Sequence, residues 1–402
     1  MVTHESIRSF FKKLGPGLIT AALVFGPGSL TIASKLGATF QYQLLWVVVL
    51  AVLFMLVYTT MAARIGLASE KSLLQYIREK YGKGISWLLG IGIFLVTASF
   101  QAGNSIGAGI AFAELFDTSP TPWIILFSLC AIVMLFFKSF YKLFEKVMIG
   151  LVAFMLLSFI ITMVITKPSL TSVFAGFVPS VPTGSEMLVI ALMASTFSVI
   201  GAFFQSYLVR EKGWKKEDRE ECIQETIIGA GILGTITLTV LICAGNVLFT
   251  QGIEVKSASD MGRTLEPLFG RFTSYMFTFG LFAASFTSLL GNSTLGGTMI
   301  ADAFLIGEGL KDKKVRFLIM LIIVIGSSIA IAFGTLPLQL IVFASGITIL
   351  VVPAVAFILL LVANHKMMGG LANKPLTNII AGIGLLVLLV LAISNLNMIF
   401  FK

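Results

Sequence analysis

Runs of about 20 apolar residues recur along the whole chain, and each is long enough to cross the hydrocarbon core of a bilayer, roughly 30 Å thick, as a helix. Hydrophobic residues make up 57% of the 402 residues and charged residues only 12%. A soluble protein of this length needs many more charges to cover its surface. The sequence therefore predicts an all-α polytopic membrane protein.

About eleven candidate spans follow from the length and apolarity of these runs. They cover residues 15–38, 44–66, 86–113, 121–138, 146–167, 185–209, 224–249, 270–296, 315–334, 338–363 and 376–398. No long Gly-, Ser- or Pro-rich linker separates the chain into domains. We therefore expect one transmembrane domain that covers residues 1–402.

Lysine and arginine residues are concentrated at the N-terminus and in alternate connections between the spans. Of the 28 in the chain, those that fall elsewhere are Lys35, Lys167, Lys256, Arg263, Arg271 and Lys402. This bias predicts a cytoplasmic N-terminus and an outside C-terminus in a multi-pass protein, which we expect in a bacterial plasma membrane. The net charge of +9 thus reflects topology and predicts no nucleic-acid partner. The expected partners are the lipid bilayer and a small-molecule or ion substrate, and the oligomeric state stays open.

Pro27 interrupts the first span, where it lies between Gly26 and Gly28 and is followed by Ser29 and Thr31. A proline inside a span frees backbone groups that hydrocarbon cannot satisfy, so the break must face a cavity or other protein. One interpretation is an ordinary proline kink. The other is a discontinuous helix whose half-helix ends form a substrate site near the middle of the membrane.

The sixth span favours the second interpretation, because small and polar side chains lie in it at comparable depth. Ser195, Ser198 and Gly201 form this stretch, and Gln205 follows one turn later. The first and sixth spans are the counterparts expected of two inverted repeats of five helices. We therefore expect both spans to contribute to one site.

Several stretches resemble the Nramp family of divalent-metal transporters. They are GPGLITAALVFGPGSLTIASKLGATFQYQLLW and AARIGLASEKSLLQYIREKYGK near the N-terminus, IGAGIAFAELF in the third span, QSYLVREKG after the sixth, GLFAASFTSLLGNSTLGGTMIADAFL in the eighth and NHKMMGG after the tenth. The resemblance implies a LeuT-like fold, with a first repeat at 15–167, a second repeat at 185–363 and an extra C-terminal helix at 376–398. It also implies secondary transport by alternating access.

The chain departs from the family at the positions that bind metal or handle protons there. In chain order, Gly26 and Ser29 replace the Asp and Asn of the first break, Gln101 and Asn104 replace two acids of the third span, Ser198, Val199 and Ile200 replace Met-Pro-His of the sixth, and Gln205 replaces a later His. Every replacement is neutral. Transition metals prefer imidazole, thiolate, thioether or carboxylate ligands, which these positions no longer supply.

Acidic residues are also missing from the middle of every predicted span. Glu114, Glu186 and Asp302 lie at span ends, where we expect them to be solvated. The sequence therefore predicts no metal site and no cofactor, and it favours a small uncharged or zwitterionic solute as substrate. The expected substrate-binding residues are Gly26, Pro27, Gly28, Ser29, Thr31, Ser195, Ser198, Gly201 and Gln205, and the expected polar pathway is Gln101 and Asn104. For the amide pair, a clamp between helices is an equally good interpretation.

Two alternatives stay open. Divalent-metal transport as in the family requires an ion that keeps part of its water, and Mg²⁺, which dehydrates reluctantly, is the best candidate. A transport-inactive sensor or scaffold that kept the fold is the other alternative. The sequence shows no nucleophile–base pair and no phosphate-binding loop, so we do not expect an enzyme.

Overall fold

The structure is a computed structural model that describes residues 26–136, 138–256, 258–307, 309–333 and 337–401. The regular elements in these ranges are all helices. Residues 15–25, which form the first part of the first predicted span, lie outside the described ranges. The α-helices are α1 Pro27–Phe40, α2 Leu45–Ala68, α3 Leu73–Tyr81, α4 Lys83–Phe116, α5 Pro120–Met134, α6 Lys138–Thr166, α7 Leu170–Ala175, α8 Glu186–Phe197, α9 Val199–Glu211, α10 Arg219–Val247, α11 Ala258–Gly262, α12 Glu266–Phe269, α13 Thr273–Phe304, α14 Lys313–Phe333, α15 Pro337–Ala363 and α16 Pro375–Phe401.

The predicted spans correspond to the long helices of the described ranges. Each span overlaps one helix, except the sixth, which α8 and α9 form together. Seven described stretches are long and apolar enough to cross a membrane, and two further apolar helical stretches, Pro120–Met134 and Ala153–Thr166, are shorter. The expected all-α membrane architecture is confirmed.

The long helices pack in two groups. The first group contains α1, α2, α8, α9 and α10, and the second contains α4, α5, α13 and α14, in which α13 lies along α4. Helix α15 contacts both groups. Helices in a membrane associate largely through close backbone approach at small residues. Gly37 of α1 illustrates this, because a Cβ at this position would lie only 2.8 Å from the Cβ of Ala244 on α10.

The two ends of the helix assembly differ in charge. Helix α9 ends and α14 begins at the end where the connections are rich in Lys and Arg, which we call the basic end. Helix α13 runs from the opposite end, which we call the far end, to the basic end, and α4 runs the other way. Helix α1 runs from the first break to the far end, and α8 returns from the far end to the second break.

Candidate functional site

The sixth span is broken at a single residue. Helix α8 ends at Phe197, α9 begins at Val199, and Ser198 between them has left-handed backbone angles, φ 41° and ψ 54°. A non-glycine residue in this conformation is strained, and such strain is concentrated at functional sites. Helix α9 starts immediately, because the Ala202 N–H donates to the Ser198 carbonyl at 2.8 Å. The ends of two half-helices therefore meet at Ser198.

The break in the first span is the start of a half-helix. Gly26 is extended, with φ −96° and ψ −178°, and α1 begins at Pro27. Proline suits the first helical position, because its missing N–H would have no partner there. Gly107 of α4 makes room for this turn, since a Cβ on it would lie 2.9 Å from the Cβ of Pro27. Close contact between Pro27 and α4 thus explains why α4 has a glycine at position 107.

A cavity of about 600 Å³ connects the two breaks to the basic end. The predicted residues that line it are Gly26, Gly28, Ser29, Asn104, Ser195, Ser198, Gly201 and Gln205. Pro27, Thr31 and Gln101 are buried beside it but do not line it. The structure therefore brings most of the predicted site together in one place.

The two amides of α4 have different positions. The Gln101 side chain is fully buried and its Nε2 donates to the Leu289 carbonyl of α13 at 3.2 Å. The Asn104 Nδ2 lies 3.5 Å from the Gln101 Oε1, and Asn104 lines the cavity. Gln101 is thus a clamp between α4 and α13, while Asn104 presents a polar side chain to the cavity.

Gln205 is held against α10. Its Nε2 donates to the Thr226 Oγ1 at 3.2 Å, and the Thr226 hydroxyl donates to the Cys222 carbonyl at 2.8 Å. The hydroxyl thus acts as acceptor and donor at once, and its only proton is used in the bond to the Cys222 carbonyl. Gln205 therefore lines the cavity in a position set by the first helix group.

Helix α13 contributes cavity residues that the sequence analysis missed. Most of them recur at spacings of three or four residues, which places them on one face of the helix: Ser288, Gly291, Asn292, Leu295, Thr298 and Asp302, while Thr294 and Ala301 line the cavity as well. The stretch GNSTLGG combines cavity residues with close packing, since its two last glycines pack against α14 or α4. The helical period of its small polar residues was the signal that could have found the cavity face.

Asp302 corrects an expectation. It was expected to be solvated at a span end, but it is half-buried, lines the cavity and accepts three side-chain hydrogen bonds. The donors are the Ser72 hydroxyl at 2.5 Å, the Tyr207 hydroxyl at 2.5 Å and the Gln75 Nε2 at 3.0 Å. The reason is that α3 folds over the end of α13. Glu114 and Glu186, in contrast, are exposed as expected.

Among the residues that the structure describes, no group of three or more His, Cys, Asp or Glu side chains is arranged to hold a metal ion. The polar groups of the cavity lining near the breaks are hydroxyls, amides and backbone groups, and apolar side chains such as Met55, Val199 and Ile200 line it beside them. Charged side chains, Asp302, Arg210 and Glu211, line it only toward the basic end. A fully dehydrated divalent ion at the breaks would therefore have weak ligands.

Comparison with known proteins gives a family. The model of the family described as natural resistance-associated macrophage protein-like (Nramp) matches residues 17–398. The divalent metal cation transporter MntH of Klebsiella pneumoniae subsp. pneumoniae is 26% identical, over 92% of this chain and 89% of that protein. The natural resistance-associated macrophage protein 2 homolog of Dictyostelium discoideum is 24% identical, over 92% of this chain and 60% of that protein.

Solved structures show the same fold. A manganese transporter of Eremococcus coleocola, in complex with an aromatic bis-isothiourea substituted compound, matches with a TM-score of 0.79 at 19% identity, over 100% of this chain and 90% of that chain. Mhp1, a nucleobase-cation-symport-1 family transporter, matches with a TM-score of 0.61 at 12% identity, over 96% of this chain and 92% of that chain. The LeuT-like fold is thereby confirmed. The chain belongs to the Nramp family and is an integral membrane protein of the transporter class.

Proposed function

We propose that this protein is a secondary transporter that carries a divalent cation through the cavity by alternating access, and that the ion keeps part of its water shell. The relatives named above are a divalent metal cation transporter and a manganese transporter. They favour a metal ion over the small uncharged or zwitterionic solute that the sequence alone favoured. The neutral polar groups at the breaks support an ion that keeps part of its water.

The observation that carries this proposal is a cavity of about 600 Å³ whose polar groups near the breaks are uncharged hydroxyls and amides. A water molecule takes about 30 Å³ of liquid volume, so a cation with most of its first water shell fits. Hydroxyl and amide oxygens can accept hydrogen bonds from such waters, whereas they cannot replace carboxylates around a bare ion. Mg²⁺ dehydrates reluctantly and usually keeps several waters, so it fits this lining better than Mn²⁺.

The helix ends at the breaks support the same hydrated state. In the described residues, the negative C-terminal end of α8 meets the positive N-terminal ends of α1 and α9. These partial charges largely cancel, so they provide little attraction for a bare cation. The carboxylate of Asp302 provides a negative charge further along the cavity. A hydrated ion needs no stronger attraction at the breaks themselves.

Flux into proteoliposomes tests this function. We expect saturable uptake of Mg²⁺, and weaker uptake of Mn²⁺, by the purified full chain. Gly26→Val should abolish uptake, because even a Cβ at Gly26 would lie 3.0 Å from the Ser288 Oγ and 3.2 Å from the Asn104 Oδ1. Gly231→Val is the matched control: Gly231 lies on an exposed face of α10, with nothing within 4 Å of the added Cβ, so uptake should persist.

A neutral or zwitterionic solute is the second candidate, and the uncharged lining of the two breaks favours it. It predicts solute flux and heat of binding in titration calorimetry, without flux of either cation. Saturable Mn²⁺ uptake that exceeds Mg²⁺ uptake contradicts the hydrated-ion proposal. Absence of flux for every cation contradicts cation transport altogether and leaves the solute or a transport-inactive protein.

A further inference from the structure

Asp302 joins three elements at the mouth of the cavity. Its Oδ2 accepts from Tyr207 of α9 and from Ser72, the N-cap of α3, and its Oδ1 accepts from Gln75 of α3. All four side chains line the cavity. Hydrogen bonds to an ionised carboxylate are shorter and stronger than those between neutral groups. This cluster is therefore a strong side-chain connection at the basic end of the cavity.

The Tyr207 hydroxyl has a fixed direction in this cluster. It accepts from the Leu74 N–H at 3.2 Å, so its single proton is directed to Asp302. Helix α3 is fastened to the end of α13 independently, because the Arg78 guanidinium donates to the Ala303 carbonyl at 3.0 Å. The Ser72, Gln75 and Arg78 bonds thus hold α3 on α13, and Tyr207 connects α9 to this unit.

The Tyr207–Asp302 bond crosses between the two helix groups. Helix α9 packs mainly on α2, whereas α13 packs mainly on α4 and α14. The cavity continues past this bond to exposed residues, among them Arg210 and Leu310. The bond is therefore formed in a conformation whose cavity reaches the basic end. Rocking of one helix group against the other changes the distance between α9 and α13 and must strain or break this bond.

We propose that the Tyr207–Asp302 hydrogen bond is a latch that stabilises the conformation open at the basic end. Tyr207 and Asp302 are positioning residues in this role, since they act through the position of α9 and not by holding the transported substrate. The inference rests on the alternating-access part of the proposed function and is independent of which substrate is carried. Loss of the bond shifts the population toward conformations in which the basic end is closed.

Thiol labelling measures this population directly. Thr294 lines the cavity and is half-buried, so Thr294→Cys reports access to it in a chain in which Cys130, Cys222 and Cys243 are replaced by alanine. A membrane-impermeant maleimide is applied to proteoliposomes from the face with the basic loops. A hydrogen bond to a charged group is strong enough to change a two-state population about tenfold. Tyr207→Phe should therefore slow labelling by about tenfold.

Tyr42→Phe is the matched control. The Tyr42 hydroxyl donates to the Asn246 Oδ1 at 3.2 Å, which is a bond inside the first helix group and away from the basic end. The same atom is deleted, but no bond between the two groups is lost. In Tyr42→Phe, the maleimide should therefore label the cysteine of Thr294→Cys at the same rate as in the Thr294→Cys background without any tyrosine substitution.

A double-mutant cycle separates a latch from a general structural role. If Tyr207 and Asp302 act through one bond, Tyr207→Phe combined with Asp302→Asn slows labelling no more than the larger single effect. Unchanged or faster labelling in Tyr207→Phe, or additive effects in the double variant, overturns the latch. Should Tyr207→Phe fail to fold, as judged by gel filtration, the labelling rate of Asp302→Asn tests the latch instead. Slower labelling supports the latch, and unchanged or faster labelling overturns it. Loss of cation flux with the expected labelling pattern overturns only the proposed substrate.

Discussion

The carboxylate at the basic end and several buried hydroxyls on the far side of the breaks differ in their hydrogen bonding. At the basic end, Asp302 is surrounded by three donors that all point at it. On the far side of the breaks, the hydroxyls of Ser34, Thr196 and Ser285 are fully buried, and none has a hydrogen-bond partner within the described part of the chain. The contrast concerns these particular groups and not the two ends as wholes, since Thr298 on the basic side also lacks a partner within the described ranges, whereas Ser327 on the far side is bonded to Ser105 and Ser128.

This contrast has a physical meaning for a transporter. A buried hydroxyl without a partner costs about 1–3 kcal/mol, and a folded chain tolerates several of them only for a reason. Ser285 lies beside the first break, since a Cβ on Gly107 would lie close to both its hydroxyl and Pro27. We expect water to supply the missing hydrogen bonds of these hydroxyls when the far end opens.

The largest effect is expected at the basic end. Asp302→Leu removes the acceptor of Ser72, Gln75 and Tyr207 at once and leaves donors in a half-buried site. We expect a loss of about 3 kcal/mol in the free energy of unfolding, because unmade bonds to a charged group carry the full desolvation cost. Denaturation of the detergent-solubilised protein measures it. A loss no greater than that of Glu186→Leu, at an exposed position, would contradict the role of Asp302.

The opposite sign is expected on the far side. Ser285→Ala deletes a buried hydroxyl that has no partner in the described ranges, so it should leave the free energy of unfolding unchanged or raise it by about 1 kcal/mol. Ser327→Ala is the matched control, because the Ser327 hydroxyl is bonded to Ser105, to Ser128 and to the Ile323 carbonyl. That variant should lose stability. Equal losses in both serine variants would show that the missing partner of Ser285 has no energetic consequence.

The smallest effect is expected from protons. The titratable side chains that line the cavity in the described ranges, among them Tyr207 and Asp302, lie toward the basic end and not at the two breaks. Proton coupling in membrane transporters uses intramembrane ionisable groups. A pH gradient across proteoliposomes should therefore change the initial rate of Mg²⁺ uptake by less than about twofold. Proton movement in a fixed ratio to the cation, read with a pH-sensitive dye, would show that an ionisable group has been overlooked.

Part of the site was predictable from local sequence and part from the resemblance to the Nramp family. Proline suits the first position of a helix, and α1 does begin at Pro27, whereas the resemblance aligned Ser198 with the break of the sixth span, where the structure has the junction of α8 and α9. Asp302 was not predictable in the same way. Its partners Ser72 and Tyr207 lie 230 and 95 residues away in the chain, and only packing of α3 over α13 brings them together.

Sequence by itself determined that this chain is a helical membrane protein and that a helix can begin at Pro27, because apolar length and the fixed φ and missing amide of proline act locally. Tertiary structure decided which polar residues share the cavity, which one clamps two helices, and that Asp302 is bonded and not solvated. The reason is that a side chain's partners in hydrocarbon are set by the neighbouring helix, and a single sequence does not state which helix that is.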